Sequence, residues 1–500
     1  MQNSFYKDEQ ELFKNYLFLS TFREEYNFNH MSVDSEATSI EDAPIHAVEL
    51  IIRPECTQKC EYCYVARYGE DLFPVADRAS REEILHNIDL ILDYVFNTKN
   101  LYINHWEFFA GDLFYDDLYF DIIDIFAKYL REKQKRYPNV FLKFPGVILT
   151  PNNFSFIRNK ERKARLEEYM ANFEKEFNWE LGFSISTDGK YATETREHLT
   201  LPDEYFDELF QWTLKYKKNG FHPMIAKSNL NTAIENYEWW KKMCAKWYTG
   251  VPEKKNDYLP YWLHARNDEW EPEDIDKMLV LINYMLEDRL LMHNDDIDAL
   301  TYHLFIGDGA NNTLPSVDIN DLIRLKISSL DDSQRMSCSM SGSTCIQVNN
   351  LSFAPCHRTT YAMFKGGHFV VENDKIVDIA PNNVTMYLNL KLNPIKDGPR
   401  CANCLYNVFC IKGCYGAQYE SSGEVFLPGQ KVCRLEQNMI EFLIWKYDKI
   451  GIFASAERQG FLENEVTLPV KAILENMQER RVNYEYIENR TPKCADAINE

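Results

Sequence analysis

The stretch IIRPECTQKCEYCYV (51–65) places Cys56, Cys60 and Cys63 within eight residues, directly behind an apolar run. A structural zinc site takes four protein ligands, so three thiolates at a C-x3-C-x2-C spacing leave one position for something other than protein. The preceding segment HAVELIIR (46–53) is apolar and β-prone and reads as a strand, which puts the cysteines on the loop that follows it. A helix over 80–97 comes next, opened by a capping box, Ser80 with Glu83.

Outward from this point the strand-then-helix order repeats. Strands are expected at 102–109, 140–149, 179–186, 221–228 and 258–265, with helices near 117–135, 157–175, 203–219, 233–247 and 272–293. Gly220 sits where a C′ glycine would stop the helix at 203–219. Six βα units imply a parallel sheet with right-handed crossovers, as an open doubly wound sheet or a partial barrel. In either arrangement the loops after the strands form the functional face. After residue 295 the rhythm stops, and eight of the thirteen cysteines crowd between Cys338 and Cys433. The expected organisation is a helical extension over 1–45, the βα domain over 46–295, a bridge over 296–335, a cysteine-organised domain over 336–445 and a helical extension over 446–500.

Composition limits the partners. A formal charge of −22 disfavours nucleic acid and anionic membranes, which need clustered Lys and Arg. No apolar run approaches a membrane span, and the N-terminus has neither the basic nor the apolar part of a signal peptide, so the cytoplasm is the expected location. There the thiols stay reduced, and cysteines in motif spacing read as metal ligands.

The second cluster, CANCLYNVFCIKGC (401–414), reads C-x2-C-x5-C-x3-C. Chance accounts for such a run with a probability on the order of 10⁻⁵. The competing explanation is a zinc ribbon, but that needs two C-x2-C knuckles and this run has one. Cys338, Cys345 and Cys356 lie upstream and Cys433 downstream. Cys244, in a helical stretch, reads as a packed core thiol and Cys494 as a surface thiol near the chain end.

The segment CTQKCEYCYV (56–65) resembles the radical S-adenosylmethionine superfamily, in its peptide-modifying branch, and the 401–414 run resembles the core of the SPASM domain that many of those maturases carry. The resemblance implies an α/β fold: a partial (β/α)6 TIM-type barrel with a C-terminal cysteine-rich SPASM domain. It implies three [4Fe–4S] clusters. Cys56, Cys60 and Cys63 would hold the first, whose open iron is chelated by the methionine part of S-adenosylmethionine. Cys338, Cys345, Cys356 and Cys414 would hold the second, and Cys401, Cys404, Cys410 and Cys433 the third. Reduced by a flavodoxin or ferredoxin, such an enzyme cleaves S-adenosylmethionine to a 5′-deoxyadenosyl radical that abstracts hydrogen from a peptide.

The resemblance also implies cofactor contacts. Tyr62 would stand beside the adenine. Ala110, Gly111 and Asp112 replace the family's Gly-Gly-Glu at the methionine amino group, with an extra methyl at the first position and a shorter carboxylate at the last. Ser186 and Asp188 match a Ser-x-Asp-Gly pattern after the fourth strand, and Arg196 is a candidate partner of the methionine carboxylate. Leu351 stands where the family has glycine, and Asn349 and Asn350 are expected to make that turn instead. His357 follows Cys356 where sulfatase maturases place a catalytic Asp, so formylglycine formation is the weaker alternative. The stronger reading is an oxidative thioether or carbon–carbon cross-link in a ribosomally made precursor peptide. His357 is a candidate base or a support for a nearby cluster. The 45 residues before the first strand are too few for a leader-binding module of roughly 80 residues. That assigns leader recognition to a separate protein, the N-terminal helix or an acidic groove. A non-catalytic iron–sulfur electron carrier or a zinc scaffold would explain 338–433 but not the three-thiolate loop.

Overall fold

The computed structural model describes residues 2–18, 27–31, 47–109, 111–152, 159–192, 196, 201–215, 219–221, 223–247, 263–264, 268–306, 320–323, 325, 343–392, 401–410, 414–462 and 464–494. In chain order its strands are β1 (Ala47–Ile51), β2 (His105–Phe109), β3 (Gly146–Asn152), β4 (Trp179–Ile185), β5 (Asn219–Phe221), β6 (Met224–Ile225), β7 (Leu263–His264), β8 (Ser343–Gln347), β9 (Ser352–Ala354), β10 (Gly367–Glu372) and β11 (Lys375–Pro381). Two compact units emerge. The first comprises Met1–Lys59, Cys63–Ser186 and Cys338–Asn393, the second Cys60–Tyr62, Thr187–Ser337 and Pro394–Glu500. Among the described residues no helix is long and apolar enough to cross a membrane.

In the first unit eight strands run in the order β11-β10-β9-β8-β1-β2-β3-β4. β1 to β4 are parallel and sequential, the arrangement that helical crossovers produce. Val48, Leu50 and Ile51 are fully buried in β1, as a strand covered on both faces requires. The expected capping box forms: the Ser80 hydroxyl accepts from the Glu83 N–H at 3.2 Å, and the Glu83 carboxylate from the Ser80 N–H at 2.7 Å. The helix it opens, Arg81–Leu92, continues as a π-helical stretch over Asp93–Thr98.

The expected strand at 140–149 is displaced. Pro138 opens a short helix, Pro138–Lys143, that takes up the apolar run VFLK. The strand begins at Gly146, where a side chain would meet the Trp179 ring of the neighbouring strand at 2.2 Å. Beyond β1 lies an extension that the βα rhythm does not announce. β8 pairs with β1 in parallel, and the chain then folds back antiparallel through β9, β10 and β11. Leu351 itself takes a left-handed φ of 54° at the turn into β9, so the turn expected at Asn349 and Asn350 has its strained position one residue later. The N-terminal helix Gln2–Leu17 packs Phe13 edge-on against Phe353 and Tyr387 at 6.2 and 5.1 Å.

In the second unit the helices expected at 203–219, 233–247 and 272–293 appear as Asp203–Lys215, Ala233–Trp247 and Pro272–Met292. Gly220 does not cap the first of them but lies inside β5. The expected strand at 221–228 is cut short because the Asn229 side chain bonds the Ala226 N–H and the Met224 carbonyl, both at 2.8 Å, and winds Lys227–Thr232 into a 3-10 turn. Of the expected strand at 258–265, only β7 lies among the described residues, parallel to β6. Lys241 and Asp288 form a buried pair at 2.5 Å that also takes the Tyr237 hydroxyl at 2.6 Å.

Candidate active site

The loop after β1 is held by the loop after β2. Gly111 has φ +67°, and a Cβ there would stand 2.2 Å from the Glu55 carbonyl and 2.7 Å from that of Arg53, so only glycine fits. The next residue completes the clamp. Asp112 donates its N–H to Glu55 at 2.7 Å, accepts from the Thr57 hydroxyl at 2.7 Å and accepts from the Phe114 N–H at 2.9 Å. Arg53 grips Asp116 through two bonds of 2.6 and 2.8 Å and donates to the Asp112 carbonyl at 3.1 Å. Asp112 is 4% exposed, and these bonds give it a share in shaping the cysteine loop. Cys56 is exposed, and Cys63 is the N-cap of helix Tyr64–Leu72. Gly111→Ala is expected to cost about 1–3 kcal/mol in stability, from strain and overpacking, read as a lower urea midpoint with unchanged slope.

In the second unit Asp188 organises the other expected contacts. Its carboxylate accepts from the Tyr62 hydroxyl at 2.5 Å, from Arg196 at 2.9 Å and from the Met224 N–H at 2.8 Å, while its carbonyl takes the Asn236 amide at 2.5 Å. Arg196 lies 5.4 Å from the Tyr62 ring centre. Burial opposes the Arg196 charge, but the Asp188 carboxylate outweighs it and drives the guanidinium well above its ordinary range. Its Nε–H has no hydrogen-bond partner among the described residues, an unmet donor of the kind that a bound carboxylate satisfies. Tyr62 also packs on Ala226, with Cys60 and Met224 beside it. Ser186 stands half-buried just beyond β4. Ala110 and Cys338 lie outside the described residues.

Two of the upstream cysteines meet in the first unit. Cys345 on β8 lies level with Glu49 on β1, and Cys356 follows β9. Glu49, 4% exposed, pairs with His357 at 3.3 Å, and His357 stacks on Phe109 with ring centres 4.0 Å apart. Burial alone would raise the Glu49 carboxyl. The His357 bond and charge, then Lys391 and Ser343, reverse this and hold it down at about 2. Burial, with the Glu49 and Cys356 charges, pushes the Cys345 thiol well up. Lys391, fully buried, donates to the Ser343 carbonyl at 2.6 Å. Neither Glu49 nor Lys391 stands out as a site residue in the sequence. The available signal was a single carboxylate inside the apolar run HAVELIIR.

The remaining five cysteines share one wall. Cys401, Cys404, Cys410, Cys414 and Cys433 line a cavity of about 380 Å³, together with Tyr406, Gln418 and Arg434. A water molecule's share of volume is roughly 30 Å³, so this cavity has room for a polyatomic group. No three His, Cys, Asp or Glu side chains among the described residues converge on a single metal position. Cys401–Cys404 and Cys404–Asn407 are tight turns, with N–H to carbonyl distances of 3.1 and 3.0 Å, and Cys414 is the N-cap of helix Tyr415–Ser422. Cys244 is buried as expected, with burial raising its thiol. Cys494 is half-buried and bonds the Tyr284 carbonyl at 3.5 Å, so it is not the surface thiol expected near a chain end; burial pushes it up to about 12.

A scan against models of known protein families finds no match, and neither does a search of curated protein sequences. Among solved structures the chain is similar to Streptococcus suis SuiB bound to S-adenosylmethionine, at 13% identity and a TM-score of 0.39, over 78% of this chain and 75% of that one. It is also similar to SuiB bound to the precursor peptide SuiA, at 13% identity and a TM-score of 0.42, over 79% and 77% of the two chains. Likeness this loose carries no assignment, which rests on the cysteine motifs and the groups around them.

Proposed function

We propose that the chain is a radical S-adenosylmethionine enzyme that installs an oxidative thioether or carbon–carbon cross-link in a precursor peptide. The observation that carries this reading is the three-thiolate loop behind β1, backed by a separate cavity walled by five more thiols. Eleven cysteines then serve three [4Fe–4S] clusters, a number the motif spacings supply without remainder beyond Cys244 and Cys494. When bound, the clusters and S-adenosylmethionine supply one-electron reductive cleavage to a 5′-deoxyadenosyl radical, hydrogen abstraction from an unactivated carbon, and a sink for the leftover electron.

The chain's own residues do the placing. The Gly111–Asp112 clamp fixes the backbone of the cysteine loop at Glu55 and Thr57. Tyr62 and Arg196, both tied to Asp188, present an aromatic ring and a fixed cation for the adenine and the methionine carboxylate. Ser186, with Ala110, Gly111 and Asp112, completes this set. Cys338, Cys345, Cys356 and Cys414 serve one auxiliary cluster, and Cys401, Cys404, Cys410 and Cys433 the other. His357 orients Glu49 beside the Cys345–Cys356 pair. We assign the barrel to the βα part of the chain, the reaction to the reducing cytoplasm, and the electron to a flavodoxin or ferredoxin.

Co-expression with a short open reading frame neighbouring the gene tests the substrate. The expected product is a peptide lighter by two hydrogens per cross-link in mass spectrometry. An unchanged peptide from protein that consumes S-adenosylmethionine would point to a different substrate.

A further inference from the structure

Among the polar side chains that line the five-cysteine cavity, Gln418 is the one whose amide is unsatisfied at both ends among the described residues. Gln418 lies one helical turn beyond Cys414, and its backbone N–H donates to the Cys414 carbonyl at 2.8 Å. Its side chain is 3% exposed and lines the cavity, and neither Nε2 nor Oε1 has a hydrogen-bond partner among the described residues. Burying both halves of an amide without partners is unfavourable, and native interiors contain few such groups. The position favours a ligand over a packing role. Leu or Met would fill the same space beside Val432 and Ile440 with no polar group to satisfy.

An occupant that offers an acceptor would satisfy the amide N–H. Sulfide and thiolate sulfurs are acceptors, and an anionic group is favoured further by the N-terminus of helix Tyr415–Ser422, which Cys414 caps. We propose that Gln418 is a positioning residue for the auxiliary iron–sulfur cluster in this cavity, donating its Nε2–H to a cluster sulfur and raising the cluster's reduction potential. This rests on the cluster reading given above. One added electron increases the negative charge on the sulfurs, so a fixed donor stabilises the reduced form more than the oxidised one.

The test uses the full chain, anaerobically reconstituted with iron and sulfide, and an EPR-monitored redox titration of the parent and of Gln418→Leu, a near-isostere without a donor. The expected result is an unchanged iron content and one midpoint moved to more negative potential. The reduced-to-oxidised ratio at fixed potential should fall by about tenfold, or ~59 mV for a one-electron couple. Gln418→Met gives the same sign and keeps the test available if the Leu variant does not fold. Full iron with every midpoint unchanged in both variants would overturn the role of Gln418 while leaving the cluster in place. A parent protein whose iron content is unaffected by replacing Cys401, Cys404 and Cys410 would overturn the cluster in this cavity, and Gln418's role with it.

Discussion

Deoxyadenosine formation is expected to vanish when Cys56, Cys60 and Cys63 are all replaced by Ala, while about eight of about twelve irons per chain remain, as expected of two surviving cubes. The auxiliary sites are expected to have full thiolate ligation, so neither offers an open iron to the amino and carboxylate groups of methionine. On the proposed ligand sets the three-thiolate loop leaves one coordination position to the cofactor. Replacing Cys401 or Cys410 should act differently: some uncoupled cleavage of the cofactor persists while cross-linked product is lost, provided the fold survives losing ligands that also contribute folding energy. The measurement is chromatography of deoxyadenosine after dithionite reduction, with iron determined on the same samples. Deoxyadenosine from the triple variant would remove the open iron from Cys56–Cys63.

The second large effect is on stability. Asp188→Asn should cost about 3–5 kcal/mol, the usual penalty for removing one partner of a buried ion pair. Arg196 is 6% exposed and Asp188 1% exposed, so neither finds water when the other is lost. The same substitution loosens Tyr62, whose hydroxyl bonds the Asp188 carboxylate, and S-adenosylmethionine affinity should fall along with the unfolding midpoint. Chemical denaturation and equilibrium binding read the two effects separately. A loss below about 1 kcal/mol, the range of an exposed pair, would show that Asp188 does not carry the Arg196 charge.

Where the sequence was legible, short-range rules governed. The capping box at Ser80, the strand behind the cysteine loop and the helices Ala233–Trp247 and Pro272–Met292 follow from residues a few positions apart. Where it was not, a distant partner decided. The start of β3 depends on Trp179, which meets Gly146 across the sheet. The extension β8–β11 depends on β1 pairing with a strand nearly 300 residues away, and no periodicity reports that. The site divides in the same way. Cysteine spacing is a local signal, and eleven of the thirteen thiols are assigned from it. The partners of Asp188, the Glu49–His357 pair and the unpaired amide of Gln418 are visible only once the chain has folded. Asp112 shows both sides: its motif position, read from the sequence, assigns it to the cofactor, while its bonds to Thr57 and Phe114 are visible only in the fold.

The most direct test of the central claim is the EPR spectrum of the reduced, reconstituted protein before and after adding S-adenosylmethionine. The open iron predicts that roughly a third of the cluster signal, one cube in three, changes its g-values on addition, and that the triple variant lacking Cys56, Cys60 and Cys63 shows no such change. A spectrum that S-adenosylmethionine leaves untouched in protein with its full iron, or a protein that takes up stoichiometric zinc and no iron, would contradict it.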